Sequence, residues 1–317
     1  MYCTYSRYEP AEDHRSFHLI WRASALLLNP PQCQASRGRG QWKGVMDREQ
    51  VKAHWRDWAS KFGTALGATT RTGTAKMLEI DALVRRMSAI GLRDAPAHVL
   101  EVGCGNGLNC FGLAARFPRM QLDGIDYTAE MIETAREAAV ANGFQDRSRF
   151  RIGNALELSA VPGLLAQYDV VFTDRCLINI ESVELQMRAI TDLAARVRRG
   201  GHLIMIENST ATYDRQNHCR TLLDLPARTP AAFNLFFDET RILPHLKTLG
   251  FEVEIEDFIS LHDLMLYVLV PAINGGTVDY DHPLVHAATR LNVAVSAEIS
   301  SAFGAFGQGR MFVCRKP

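Results

Sequence analysis

No charge imbalance, no membrane-length apolar run and no regular cysteine spacing mark this chain. Its 317 residues carry 35 basic and 35 acidic side chains, so no overall field draws it to nucleic acid or to an anionic membrane. A basic stripe with interleaved aromatics, the usual footprint of nucleic-acid binding, is also missing. The longest apolar stretch, "LMLYVLVPAI" at 264–273, runs for about ten residues, half of the ~20 a membrane helix needs. Cys3, Cys33, Cys104, Cys110, Cys176, Cys219 and Cys314 are odd in number and scattered. That distribution speaks against a disulfide framework or a zinc motif and fits a reducing cytoplasm. No internal repeat or low-complexity tract is evident.

A hydrophobic content of 47% supports a sizeable core. Residues 1–45 show no sustained period and end Gly/Arg-rich, which reads as a disordered extension or a mis-assigned start ahead of Met46. Residues 46–94 read as a helix, a polar "GATTRTGTAK" loop and a second helix, together a lid-like segment. The loop either closes over a ligand or caps the helix near Thr74; Trp55, Trp58 and Phe62 read as packing of the first helix. From 95 to 317, apolar strand patterns alternate with helical ones: "HVLEVG", "LNCFGLAARF", "MQLDGID", "AEMIETAREAAVANG", "SRFRIGNA", "YDVVFTD", "VELQMRAITDLAARVRR" and "GHLIMIEN". Such alternation predicts βαβ units and a doubly wound, mostly parallel sheet. Two insertions, 209–240 and 259–308, are too long for ordinary connections and read as substrate covers.

"VLEVGCGNGLNC" places Gly103, Gly105 and Gly107 at the end of the first strand. Glycines there let the backbone turn sharply and approach a ligand, whereas a bare βα turn would bind nothing. Leu108 stands where the dinucleotide fingerprint needs its third glycine, which disfavours a pyrophosphate ligand and hence a nucleotide-dependent oxidoreductase. Glu101, just before the glycines, suits a cation and repels phosphate. Asp126, closing the next strand, is placed to accept from both hydroxyls of a ribose. A phosphate-free nucleoside fits these features best.

In these motifs the chain resembles the class I S-adenosylmethionine-dependent methyltransferases, the seven-stranded Rossmann-like family. "VLEVGCGNG", "GIDYTAEMIETAR", "IGNA", "YDVVFTD" and "RRGGHLIMIE" follow its motifs in order across roughly 95–258, with the last strand besides. The resemblance implies an α/β sheet of order 3-2-1-4-5-7-6 with the final strand antiparallel, and S-adenosylmethionine as cofactor with S-adenosylhomocysteine as product. It implies that Glu101, Gly103, Gly105 and Gly107 line the methionine and ribose, with Asp126 on the ribose. Tyr127 and Met131 would flank the adenine, and Asn154 and Ala155 would meet its edge. Many members carry Asp where Asn154 stands; an amide oxygen can still accept from the adenine amino group.

The acceptor is sought around "TDRCLINI", where Asp174 is a candidate base or ammonium holder and Arg175 a candidate anion clamp, with Asn179 beside them. An Asp174/Arg175 ion pair capping the next helix is an equal alternative. Glu207 and Asn208 end the fifth strand on the same rim, and the second insertion supplies His262, Tyr280 and His282. A structural His–Asp network accounts for these histidines as well as catalysis does. No metal triad declares itself. The expectation is a methyltransferase acting on a small polar molecule enclosed by the insertions, through oxygen or nitrogen, with sulfur open. The alternatives are a nucleotide-dependent oxidoreductase and a catalytically silent S-adenosylmethionine-binding protein. A homodimer is compatible with the sequence, which leaves the oligomeric state open.

Overall fold

The computed structural model describes residues 46–70, 72–295 and 302–317. The expected extension at 1–45 and Arg71 of the polar loop lie outside the described residues. Helix α1 (Arg48–Phe62) starts at a capping box in which Asp47 Oδ1 accepts from the Gln50 amide and Gln50 Oε1 from the Asp47 amide. Helix α2 (Gly73–Ala89) follows. Strands β1 (Ala97–Val102), β2 (Met120–Asp126), β3 (Ser148–Ile152) and β4 (Tyr168–Asp174) then alternate with α3 (Leu108–Ala114) and α4 (Ala129–Ala141). Helix α5 (Val183–Arg196) leads into β5 (Val197–Asn208), and α6 (Thr210–Leu222) and α7 (Glu239–Thr248) precede β6 (Glu252–Glu256). Then come α8 (Ser260–Leu264), a π-turn at Met265–Leu269, α9 (Val270–Ile273), α10 (Pro283–Ala294) and β7 (Gly309–Arg315).

The seven strands form one sheet in the order β3-β2-β1-β4-β5-β7-β6, with β7 antiparallel to both neighbours, as the motifs imply. Period-two alternation sends side chains to two cores. Val99, Val170, Ile204 and Val313 pack against α2, α3 and α4 on one face. Leu100, Val171, Leu203 and Phe312 pack against α5 and α7 on the other. Burial of both faces explains the near-continuous apolar strands.

One expectation is corrected. The helix expected to run through "RVRR" stops at Arg196, because Val197 pairs with Tyr168 and a register shift before Val170 draws the arginines into β5. Helices α6, α8, α9 and α10 occupy much of the two insertions. Helix α6 hid because it buries polar side chains, Gln216 and Arg220, whose pattern carries no apolar stripe. The parallel strands bring Glu101, Asp126, Asp174 and Asn208 to one rim at their carboxyl ends, where open α/β sheets bind ligands.

Candidate functional site

Over that rim lies a cavity of about 690 Å³, walled by the β1–α3 turn, the ends of β2, β4 and β5, Thr69, Thr70, Thr72, Lys76 and Glu79, and both insertions. Gly103 and Gly105 hold φ of +79° and +51°, in the left-handed region that glycine tolerates. A β-carbon at Gly103 would collide with Cys176, and one at Gly105 would stand 2.7 Å from Thr69 Cγ2. Close approach therefore requires glycine at both. Asp126 locks the turn: Oδ2 accepts from the Gly105 amide at 3.0 Å and Oδ1 from the Thr128 amide at 2.8 Å. Each oxygen keeps a lone pair, and Asp126 lines the cavity.

Glu101 is fully buried behind the turn, accepting from Asn109 Nδ2 at 2.8 Å and from the Cys110 thiol at 3.0 Å. Burial pushes its carboxyl up to about 8, so a cation beside it would favour ionisation. Asn109 Nδ2 also donates to Asp174 Oδ2 at 3.0 Å. Lys76 Nζ lies 2.5 Å from Asp174 Oδ2 and 2.7 Å from Glu79 Oε2, and Arg175 Nε lies 2.9 Å from Glu79 Oε1. Burial alone would lower the Lys76 pKa, but the facing carboxylates of Asp174 and Glu79 outweigh it and raise it. Burial likewise pushes against ionisation of Asp174, and Lys76 and Arg175 reverse it, holding the carboxyl below its ordinary range. Two cations and two carboxylates thus neutralise one another inside the wall. Asp174 Oδ1 is buried without a hydrogen-bond partner among the described residues.

Residues 94–234 match the family model described as a methyltransferase domain. Ajmaline N-methyltransferase of Rauvolfia serpentina is 29% identical over 100 residues, 32% of this chain and 33% of that protein. Release factor glutamine methyltransferase of Chlorobaculum tepidum is 30% identical over 98 residues, 31% of this chain and 33% of that protein. This stretch is thus similar to a methyltransferase domain. It spans about a third of the length of these curated relatives. Among solved structures, an O-methyltransferase family protein from Burkholderia thailandensis shares the fold with TM-score 0.50 and 15% identity, covering 95% of this chain and 70% of that one. The (4+2)-cyclase SpnF does so with TM-score 0.52 and 18% identity, covering 87% and 99%. Among the described residues no helix is long and apolar enough to cross a membrane, and no group of three His, Cys, Asp or Glu is arranged to hold a metal.

Within the domain, Glu101, Gly103, Gly105, Asp126, Tyr127 and Met131 all line the cavity. Gly107 does not; it opens α3 in the left-handed conformation, and a β-carbon there would press on Phe111 at 2.9 Å. Asn154 and Ala155 line a smaller adjoining pocket of about 60 Å³ that shares Gly103, Asp126 and Tyr127 with the main one. Asn154 Oδ1 accepts from the Leu156 amide at 3.0 Å, leaving one lone pair. Asp174, Arg175, Asn179, Asn208 and Tyr280 meet in the main cavity. The alternative cap is not what Asp174 and Arg175 form, since Ser182 Oγ caps α5 and Arg175 turns to Glu79.

Three expected catalytic positions lie elsewhere. Glu207 is wholly buried outside the cavity lining and accepts from Thr173 Oγ1 and the amides of Cys176, Leu177 and Ile178 at 2.8–3.3 Å. It therefore shapes the turn that holds Cys176 against Gly103. His282 caps α10, its Nδ1 accepting from the Leu284 amide at 3.2 Å, away from the cavity. His262 is buried behind the wall but connected to it. Its Nδ1 donates to Asp263 Oδ1 at 2.8 Å, and its Nε2 lies 3.0 Å from Thr74 Oγ1, itself 2.6 Å from Thr72 Oγ1 on the cavity wall. The acceptor-only carboxylate selects the Nδ1–H tautomer and leaves Nε2 as a base.

Sequence reasoning missed Glu79, Asn109 and Arg228 and gave Lys76 only a place in the closing loop. Lys76 and Glu79 carried one signal: charges on the apolar side of an amphipathic helix. Trp55 and Trp58 also line the cavity rather than serving packing alone. Replacing Lys76 by Met strands Asp174 in the wall, so K76M is expected to lose about 3–5 kcal/mol of stability in urea unfolding. A loss under about 1 kcal/mol would show that the pair is not held buried.

Proposed function

We propose that this protein moves the methyl group of S-adenosylmethionine to an oxygen or nitrogen of a small polar acceptor. The observation that carries this is the Asp126 carboxylate, fixed to the Gly105 amide yet lining both the main cavity and the pocket beside Asn154 and Ala155. A ribose lying over a turn that admits no side chain would find both its hydroxyls facing that carboxylate. When bound, the cofactor supplies an electrophilic sulfonium methyl. Tyr127 and Met131 would flank its adenine, and Glu101 and the Asp174 Oδ1 would meet its cationic end.

The residues past the turn would receive the acceptor, with Arg175, Asn179, Asn208 and Tyr280 around it and the cavity wall excluding water. Deprotonation runs through the hydroxyls. Thr72 takes the acceptor proton as it passes its own to Thr74, and Thr74 protonates His262 Nε2 while Asp263 stabilises the cation formed. The names of ajmaline and norajmaline N-methyltransferase, both relatives, favour nitrogen. The helices of the two insertions and α1 would act as the cover, in a soluble cytoplasmic enzyme.

Loss of the ribose ligand by D126A is expected to weaken S-adenosylhomocysteine roughly ten- to a hundredfold in equilibrium dialysis. Unchanged affinity would remove Asp126 from the cofactor site. For the relay, H262Q is expected to lower kcat on the order of a hundredfold while cofactor affinity holds. A kcat equal to that of the wild type would leave His262 a purely structural residue.

A further inference from the structure

Of the cations that line the cavity, Lys76 and Arg175 are neutralised by Asp174 and Glu79. Arg228 is not. Among the described residues its guanidinium donates to two neutral amides, Nη1 to Gln216 Oε1 at 3.0 Å and Nη2 to Gln308 Oε1 at 2.7 Å, and no carboxylate pairs with it. Three of its five N–H groups remain. The group is held in place rather than free to sweep. Its carbon centre sits 3.5 Å from the Tyr267 ring centroid and 5.0 Å from that of Tyr213. Its backbone is gripped at both ends by Asn217, whose Oδ1 accepts from the Arg228 amide at 2.9 Å and whose Nδ2 donates to the Arg228 carbonyl at 3.0 Å. Gln216 is fixed in turn, donating to the Phe306 carbonyl at 2.7 Å.

Tyr213 supplies a second donor. It is 4% exposed, lines the same cavity, and its hydroxyl has no hydrogen-bond partner among the described residues. A buried hydroxyl without a partner costs stability that a bound acceptor atom would recover. Asp263, an acid of the same wall, is already committed to His262 and to the Gln308 backbone amide at 2.6 Å.

We propose that Arg228 and Tyr213 form an anion subsite, and that the methyl acceptor is a small acidic molecule whose carboxylate or phosphate monoester docks there. This rests on the methyl-transfer reading, and it places the anion beside α6 and Gln308, on the acceptor side, rather than on the Gly103–Gly107 turn. A planar guanidinium edge pairs with either anion through two parallel hydrogen bonds.

The test is calorimetric titration of the full chain, saturated with S-adenosylhomocysteine, with benzoate, phenyl phosphate and neutral benzamide. One of the anions is expected to bind at least about tenfold more tightly than benzamide, and which one wins identifies the head group. In R228Q that preference is expected to vanish while S-adenosylhomocysteine binding stays within about twofold. Y213F, which keeps the ring, is expected to weaken the anion several-fold and stands as the second variant if R228Q fails to fold. Failure of both anions to exceed benzamide, or an unchanged preference in R228Q, would overturn the subsite. Loss of S-adenosylhomocysteine in R228Q would instead make Arg228 a cofactor clamp and overturn it equally. If the wild type binds no S-adenosylhomocysteine, the methyl-transfer reading falls on its own, and the same titrations without it still judge the subsite.

Discussion

The ion pair between Lys76 and Asp174 joins the N-terminal helices to the carboxyl rim of the sheet, and the cavity exists because of that junction. Lys76 stands in the first turn of α2 and Asp174 closes β4, ninety-eight positions later, with their side chains almost wholly removed from water. Burying two charges is expensive, and a well-packed apolar pair would serve stability as well or better. What the pair supplies is geometry. Around it Glu79 and Arg175 complete a neutral set, Asn109 ties Asp174 to Glu101, and Thr69 is brought against Gly105 of the glycine turn. Helix α2 thereby becomes part of the site, although it precedes the domain that the family model matches.

The turn itself obeys a complementary constraint of space. Cys176 and Thr69 press on Gly103 and Gly105 from opposite elements, so the backbone is the surface a ligand meets. Glu207 sets the Cys176 side of that vice from below by collecting the amides of the 176–178 turn. Its raised pKa, up to about 7, reflects burial in that role and not exposure to a substrate. A carboxylate at a strand end can therefore serve the site from outside the cavity lining, whereas Asp126, at the end of β2, both fixes the turn and lines the cavity.

The strand order and the cradle were legible in the sequence because both are written in features that local chemistry dictates. Continuous apolar strands, glycines after β1 and an acid closing β2 follow from burial on two faces and close backbone approach. The acceptor side was not legible to the same degree. Position along the chain put Glu207, His262 and His282 on an equal footing, and only three-dimensional packing separates a turn-organising carboxylate, a buried histidine joined to the wall through Thr74 and a helix cap. Arg228 sat in a stretch without period, "DLPARTPAAF", and what sets it apart, that no acid among the described residues pairs with it, is something no sequence pattern states. Buried polar residues such as Gln216 and Arg220 likewise obscured helix α6. The same fold in SpnF, a cyclase, shows that the sheet and its helices do not by themselves fix the reaction.

The account stands on the identity of the ligand in the glycine turn. Calorimetric titration of the full chain with S-adenosylhomocysteine and, separately, with NAD tests it most directly. The account predicts saturable binding of S-adenosylhomocysteine at one site per chain and none of NAD. Binding of NAD with no heat from S-adenosylhomocysteine would contradict it.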